Sequence, residues 1–97
     1  MGENTVAPHR AWPHETIDQA VRRRARDRPT EIAVVGPALT LTWQELDEAA
    51  DRTAHLLAEK GVGPGSLVGW FGQNDIGYPV VLLAVWRRRA GMVGMNW

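Results

Sequence analysis

Between Leu46 and Leu57 an apolar stripe runs through Leu46, Ala49, Ala50, Thr53, Ala54, Leu56 and Leu57. That three- and four-residue spacing predicts an α-helix with one face on a core. Its start is marked by Thr42 with Glu45 three residues on, a capping box in which each side chain satisfies the other's backbone N–H. Its end is marked by Lys60-Gly61, a cation at the negative end of the dipole followed by a residue suited to the left-handed C′ position. The rest of the chain is arranged around this element.

Ahead of it, Thr16 and Gln19 form a second capping box. Ile17, Ala20, Val21 and Ala25 give the following helix a narrow apolar stripe, and Pro29 ends it. Glu31 to Val35 is rich in β-branched residues, Gly36-Pro37 marks a turn, and Leu39 to Thr42 alternates; together they predict a hairpin. Residues 1–14 are polar and broken by Pro8 and Pro13, and read as a flexible tail that offers Trp12 as an anchor. They contain no apolar run of the kind a signal peptide has.

Beyond Gly61, Val62-Gly63-Pro64-Gly65 reads as a loop and Leu67 to Phe71 as a buried-type strand. A helix over 76–89 follows, capped by Asn74 or Asp75, with Pro79 in or near its first turn. Ala90-Gly91 ends the helix, and Met92 to Asn96 forms a last apolar strand. The fold class is therefore α/β: helix, β-hairpin, helix, then a βαβ unit with parallel strands and a right-handed crossover. Val80 to Trp86 is apolar without a break, so that helix needs partners on more than one side. Nothing in the first 66 residues is able to cover both it and the strand after it. The chain reads as the incomplete opening part of a larger α/β domain.

Composition narrows the function classes. The chain has 97 residues, eleven basic and eleven acidic, so its net charge favours neither a nucleic acid nor an anionic membrane. The absence of cysteine excludes disulfides and thiolate metal sites and suits the cytoplasm. The longest apolar run, Val80 to Trp86, is far too short to span a bilayer.

Four stretches, in this order, resemble the N-terminal segment of the adenylate-forming (AMP-binding) superfamily: acyl-CoA synthetases, peptide synthetase adenylation domains and luciferases. Leu41-Thr42-Trp43-Gln44-Glu45-Leu46 is similar to that family's Leu-Thr-Tyr-x-Glu-Leu, with Trp for Tyr. Asp47, Ala49-Ala50, Ala54 and Leu56-Leu57 follow as in its next helix. Gly61-Val62-Gly63-Pro64-Gly65-Ser66-Leu67-Val68 resembles Gly-Val-Gly-Pro-Gly-Asp-x-Val. Asn74 stands where the family has Asn before a helix, and Leu83-Ala84 with Ala90-Gly91 resembles its Leu-Ala and Lys-Ala-Gly. Gly94-Met95 departs from the usual Pro-Leu or Pro-Ile, and Arg87-Arg88-Arg89 is more basic than the family pattern. Asn96-Trp97 is more like the acyl-CoA synthetase ending of this segment than the Asp-Pro of peptide synthetases.

The resemblance implies that residues 15–97 are a partial N-terminal portion of an adenylate-forming domain. The parent would be an ATP-dependent acid–CoA ligase, joining a carboxylic acid to ATP as acyl-adenylate and pyrophosphate, then forming a CoA thioester. It implies ATP, Mg2+ and CoA for that parent, a carboxylic acid substrate, and the missing remainder of the ligase domain as partner. The family's phosphate loop, ribose-binding Asp and catalytic Lys find no counterpart here. No catalytic, cofactor-binding or metal-binding residue is assigned, and the chain alone is expected to be inactive. The alternative is a non-catalytic scaffold or interaction module, one piece of a split ligase.

Other groups are read as structural. The Gly61-x-Gly63-x-Gly65 loop has helix before it and strand after it, the reverse of a dinucleotide fingerprint. Arg22, Arg23, Arg24, Arg26 and Arg28 spread round their helix beside Asp18 and Asp27, as a solvated face does, with the Arg24 and Arg28 stems along the apolar row. Arg87 to Arg89 suit a helix C-terminus, with an acidic surface of the missing portion as a second reading. His9, His14 and His55 lack ligand spacing, Ser66 has no placed histidine, and Trp43, Trp70 and Trp86 fall where burial accounts for them.

Overall fold

The computed structural model describes residues 15–71 and 76–95, for residue 95 the backbone only. In chain order it holds α1 (Ile17–Asp27), β1 (Ile32–Val35), β2 (Thr40–Thr42), α2 (Trp43–Glu59), β3 (Leu67–Phe71), α3 (Gly77–Arg87) and β4 (Gly91–Met95). The order is that read from the sequence. The expected tail 1–14, the caps Asn74 and Asp75, and the end of the last strand at Asn96 lie outside the described residues.

Both predicted capping boxes form. Thr16 Oγ1 accepts from Gln19 N at 3.0 Å while Gln19 Oε1 accepts from Thr16 N at 2.8 Å. Thr42 and Glu45 do the same at 3.2 and 2.9 Å. The α2 C-terminus closes as a Schellman turn: Gly61 has φ 84°, its N–H reaches Ala58 O at 3.0 Å, and Val62 N reaches Leu57 O at 3.0 Å.

At α3 one expectation, the end of the helix, gives way. The cap position is Ile76, with no side-chain cap hydrogen bond, and Pro79 sits in the first turn, where its missing N–H costs no helical bond. The helix ends at Arg87, earlier than read. It closes through Arg89 rather than Gly91: Arg89 has φ 60°, Arg89 N bonds Trp86 O at 2.8 Å, and Ala90 N bonds Val85 O at 3.1 Å. The hydrogen-bond pattern requires the left-handed residue two places after the last helical one. Here that residue is an arginine.

β1 and β2 pair antiparallel, from Ile32 opposite Thr42 to Val35 opposite Thr40, with an irregularity at Ala33. The hairpin is tied to α2 by Trp43 N to Glu31 O (3.0 Å) and Gln44 N to Pro29 O (3.2 Å). β3 and β4 pair parallel in the register Leu67–Gly91 through Phe71–Met95, with α3 as the crossover. The core is the cluster Val21, Leu46, Ala50 and Leu83, drawn from all three helices, with Val34, Leu41 and Trp43 packed against it.

Burial corrects four readings. Ile17 is 62% exposed, leaving Val21 as the buried residue of α1, and Leu56 is exposed, off the α2 stripe. Trp86 is 37% exposed, so the all-round apolar α3 does leave surface in water. β3 is not a fully buried strand: it alternates, with Leu67 and Phe71 outward. The reason is a single layer of cover. α3 lies on the Trp70 face, where the Trp70 and Tyr78 rings meet edge-on at 5.7 Å, and no described element lies on the other.

Candidate functional site

The densest polar junction is where α1, α2 and α3 meet. The Arg87 side chain, 3% exposed, ends α3 and reaches back between the other two helices. Its Nε donates to Asp18 Oδ1 on α1, its Nη2 to Asp47 Oδ1 at 2.6 Å, and its Nη1 to Asp51 Oδ1 at 3.1 Å and Asp47 O at 2.9 Å. Arg22 bonds Asp18 at 3.1 Å and approaches Asp51 at 3.8 Å, closing the network. Burial disfavours the Arg87 cation, but the hydrogen bonds it donates to Asp18 and Asp47 outweigh that and hold its pKa above the ordinary guanidinium value. Asp47 and Asp51 are one helical turn apart, so both carboxylates face the same groove. The junction fastens helices together. It offers neither nucleophile nor base with a free reacting position.

The arginines after Arg87 are also engaged. Arg88 Nε donates to Val62 O at 2.9 Å, linking α3 to the loop after α2. Arg87 and Arg88 thus meet groups of this chain, and the second reading, an acidic surface elsewhere, is not needed for either. That long-range pairing was missed in the sequence. The available signal was three aspartates, at 18, 47 and 51, on helix faces opposite one uninterrupted apolar helix.

The glycine loop is a helix-to-strand turn. Gly63 N donates to Ser66 Oγ and Ser66 N to Gly63 O, at 3.0 and 2.9 Å, while the N–H groups of Gly61 and Val62 close α2. Those donors point inward, not toward a phosphate. His55 Nδ1 lies 3.0 Å from Asp51 O on an exposed face. The arginines of α1 border an open cleft of about 650 Å³ with Pro29 and Glu31, yet they are occupied. Arg23 pairs bidentately with Glu15 at 3.0 Å, Arg28 bonds Glu31 at 2.8 Å, and Arg24 stands 6.0 Å over the Trp43 ring.

Among the described residues no group of three or more His, Cys, Asp or Glu is placed to hold a metal ion, since Asp18, Asp47 and Asp51 converge on a guanidinium. With the loop donors spent internally, the residues described here do not fit ATP, Mg2+ or CoA, and no step is derived through them. No helix among the described residues is long and apolar enough to cross a membrane.

Comparison with known proteins places these elements. Residues 21–97 match the family model described as AMP-binding enzyme. The chain is 36% identical over 69 residues to 3-oxocholest-4-en-26-oate–CoA ligase of Rhodococcus rhodochrous, covering 71% of this chain and 12% of that protein. It is 34% identical over 85 residues to tyrocidine synthase 2 of Brevibacillus parabrevis, covering 88% of this chain and 2% of that one. The apo structure of MbtA from Mycobacterium smegmatis superposes with TM-score 0.78 at 30% identity, over 92% of this chain and 17% of its own. The chain therefore spans about an eighth or less of the two curated relatives' lengths.

Proposed function

The chain belongs to the AMP-binding enzyme family, and we propose that it is the N-terminal piece of an acyl-CoA synthetase-like ligase, residues 15–97 forming part of that ligase's adenylating domain. The parent reaction condenses a carboxylic acid with ATP to acyl-adenylate and pyrophosphate, with Mg2+ as counter-ion, and passes the acyl group to CoA. The piece supplies the α1–α3 core and the β3–β4 sheet on which the rest of the domain builds. None of its described residues is assigned as a reacting group. The observation that carries the CoA ligase over the peptide synthetase reading is Asn96-Trp97 in place of Asp-Pro; identity does not separate the two, being 36% to the CoA ligase relative and 34–45% to peptide synthetases. We place the parent in the cytoplasm, where its co-substrates are and where a chain without cysteine belongs.

The test is pyrophosphate release with ATP, Mg2+, CoA and a panel of fatty and aromatic acids. The isolated chain gives none, and the chain joined to the remainder of such a domain gives acid-dependent release and a CoA thioester. Acid-dependent release by the isolated chain overturns the first half. Acyl transfer to a carrier-protein thiol but not to CoA moves the parent to the peptide synthetases. In the coding sequence beyond residue 97, a Ser/Thr- and Gly-rich loop ending in Pro-Lys is expected within about a hundred codons.

A further inference from the structure

We propose that the open apolar cleft between the start of α1 and the end of α3 is the seat of the Trp12 indole, so that the segment before Glu15 straps α1 to α3. The inference concerns this chain's own residues and does not rest on the ligase reading.

Thr16, Ile17 and Asp18 from the start of α1 and Trp86 from the end of α3 line a cleft of about 310 Å³. Ile17 is 62% exposed and Trp86 37%. Two large apolar side chains from different helices are therefore left open at one place. The first turn of α1 has little other apolar cover, since Val21 is the buried residue of that helix. Asp18 lines the cleft while its carboxylate accepts from Arg22 and Arg87. A ring seated there keeps water from that ion pair, and lower local polarity strengthens it.

The occupant follows from where the chain enters. Residues 1–14 lie outside the described residues and join α1 at the rim of the cleft. Glu15 is held there by two hydrogen bonds from Arg23, so the segment leaves from a fixed point. Trp12 is its bulkiest apolar side chain, four residues before Thr16, an extended reach of about 13–14 Å. Pro13 disfavours helical geometry at Trp12 and limits the freedom that seating removes. An indole buries about 150–250 Å², which suits a cleft walled by one isoleucine and a second indole. A second copy needs about 800 Å² per partner for a stable contact, far more than these four residues offer. A tethered ring needs no such area, because a short linker presents it at an effective concentration of about millimolar.

The experiment uses the full 97-residue chain carrying 5-fluorotryptophan. Its five tryptophans give five fluorine signals, assigned by single Trp→Phe changes, and a soluble nitroxide broadens each according to its exposure. The Trp12 signal is expected to broaden at least threefold less in buffer than in urea. Trp12→Ala should raise the broadening of Trp86 at least threefold, and Trp86→Ala should do the same to Trp12. Ile17→Asp, at a mostly exposed position, should release Trp12 to the same degree with the far-ultraviolet circular dichroism unchanged, a reading that survives if Trp86→Ala fails to fold. A Trp12 signal as exposed in buffer as in urea overturns the proposal, and so does a Trp86 signal indifferent to Trp12→Ala. Protection of Trp12 that disappears on dilution assigns the cleft to a second copy and overturns it as well.

Discussion

Arg87 Nη2 lies 2.6 Å from Asp47 Oδ1, and Nη1 of the same guanidinium donates to the Asp47 carbonyl at 2.9 Å. A side chain at the end of α3 thereby fixes α2 by both carboxylate and backbone, while its Nε holds Asp18 on α1. With Val21 its buried residue, α1 depends on this junction more than on its stripe.

Arg87→Ala leaves Asp18 and Asp47 facing each other without their cation. Removing one partner of a fully buried pair costs about 3–5 kcal/mol, and since these carboxylates are partly solvated the lower end, about 3 kcal/mol, is expected. Arg87→Lys recovers less than half, because an ammonium on a flexible stem does not reproduce the planar fork that reaches three aspartates. Urea unfolding followed by circular dichroism reads both. A loss below about 1 kcal/mol for the alanine variant would show that hydrophobic contacts alone hold α1.

The Thr42 cap is local and structural. Thr42→Ala removes the acceptor for Glu45 N, a bond of 3.2 Å, and should destabilise the chain by about 1 kcal/mol. Amide exchange at residues 43–46 should rise first. In a complete ligase the same change should leave the Michaelis constant for ATP nearly unaltered; a selective rise there with unchanged stability would make Thr42 a ligand contact.

What was legible in the sequence divides along one physical line. Thr16 with Gln19, Thr42 with Glu45, and Gly61 just past its helix act over three residues or fewer, and all took the expected roles. Arg87 draws its partners from 36 to 69 positions away, and no local pattern encodes that meeting. Composition marked Leu67 and Phe71 as apolar, yet exposure depends on what lies opposite. Gly91 misled for another reason. Glycine favours a left-handed position but does not fix which residue occupies it; the helix ends at Arg87, and the turn falls on Arg89.

That position carries strain. An L-residue in the left-handed region costs about 1–2 kcal/mol relative to right-handed geometry, and glycine avoids most of it at some cost in unfolded-state entropy. Arg89 is exposed, so little packing is forfeited. Arg89→Gly should therefore stabilise the chain by about 1 kcal/mol, raising its melting temperature by about 4–8 °C. A fall in melting temperature would mean that the Arg89 side chain contributes more than its backbone costs.

The acid limb of stability should show the Glu15–Arg23 pair. Arg23 donates to both Glu15 oxygens at 3.0 Å, and that hydrogen bonding holds the Glu15 carboxyl below the ordinary value despite an opposing desolvation effect. A carboxyl whose pKa is lower folded than unfolded binds fewer protons in the folded state. Its contribution is then complete above the ordinary glutamate value of about 4.3 and is lost as pH falls through the depressed one. The Arg23 pKa is shifted upward, by the same hydrogen bond first, so its titration lies far above this window. Glu15→Gln keeps the shape of the side chain and removes its charge. The stability difference between wild type and Glu15→Gln should be constant from pH 8 to about 5 and should shrink as pH drops below about 4. Because both groups are on the surface, the difference should also shrink in 1 M salt. Urea melts at three pH values decide it: a difference that persists unchanged at the most acid point would assign the effect to the packing of the side chain and not to its charge.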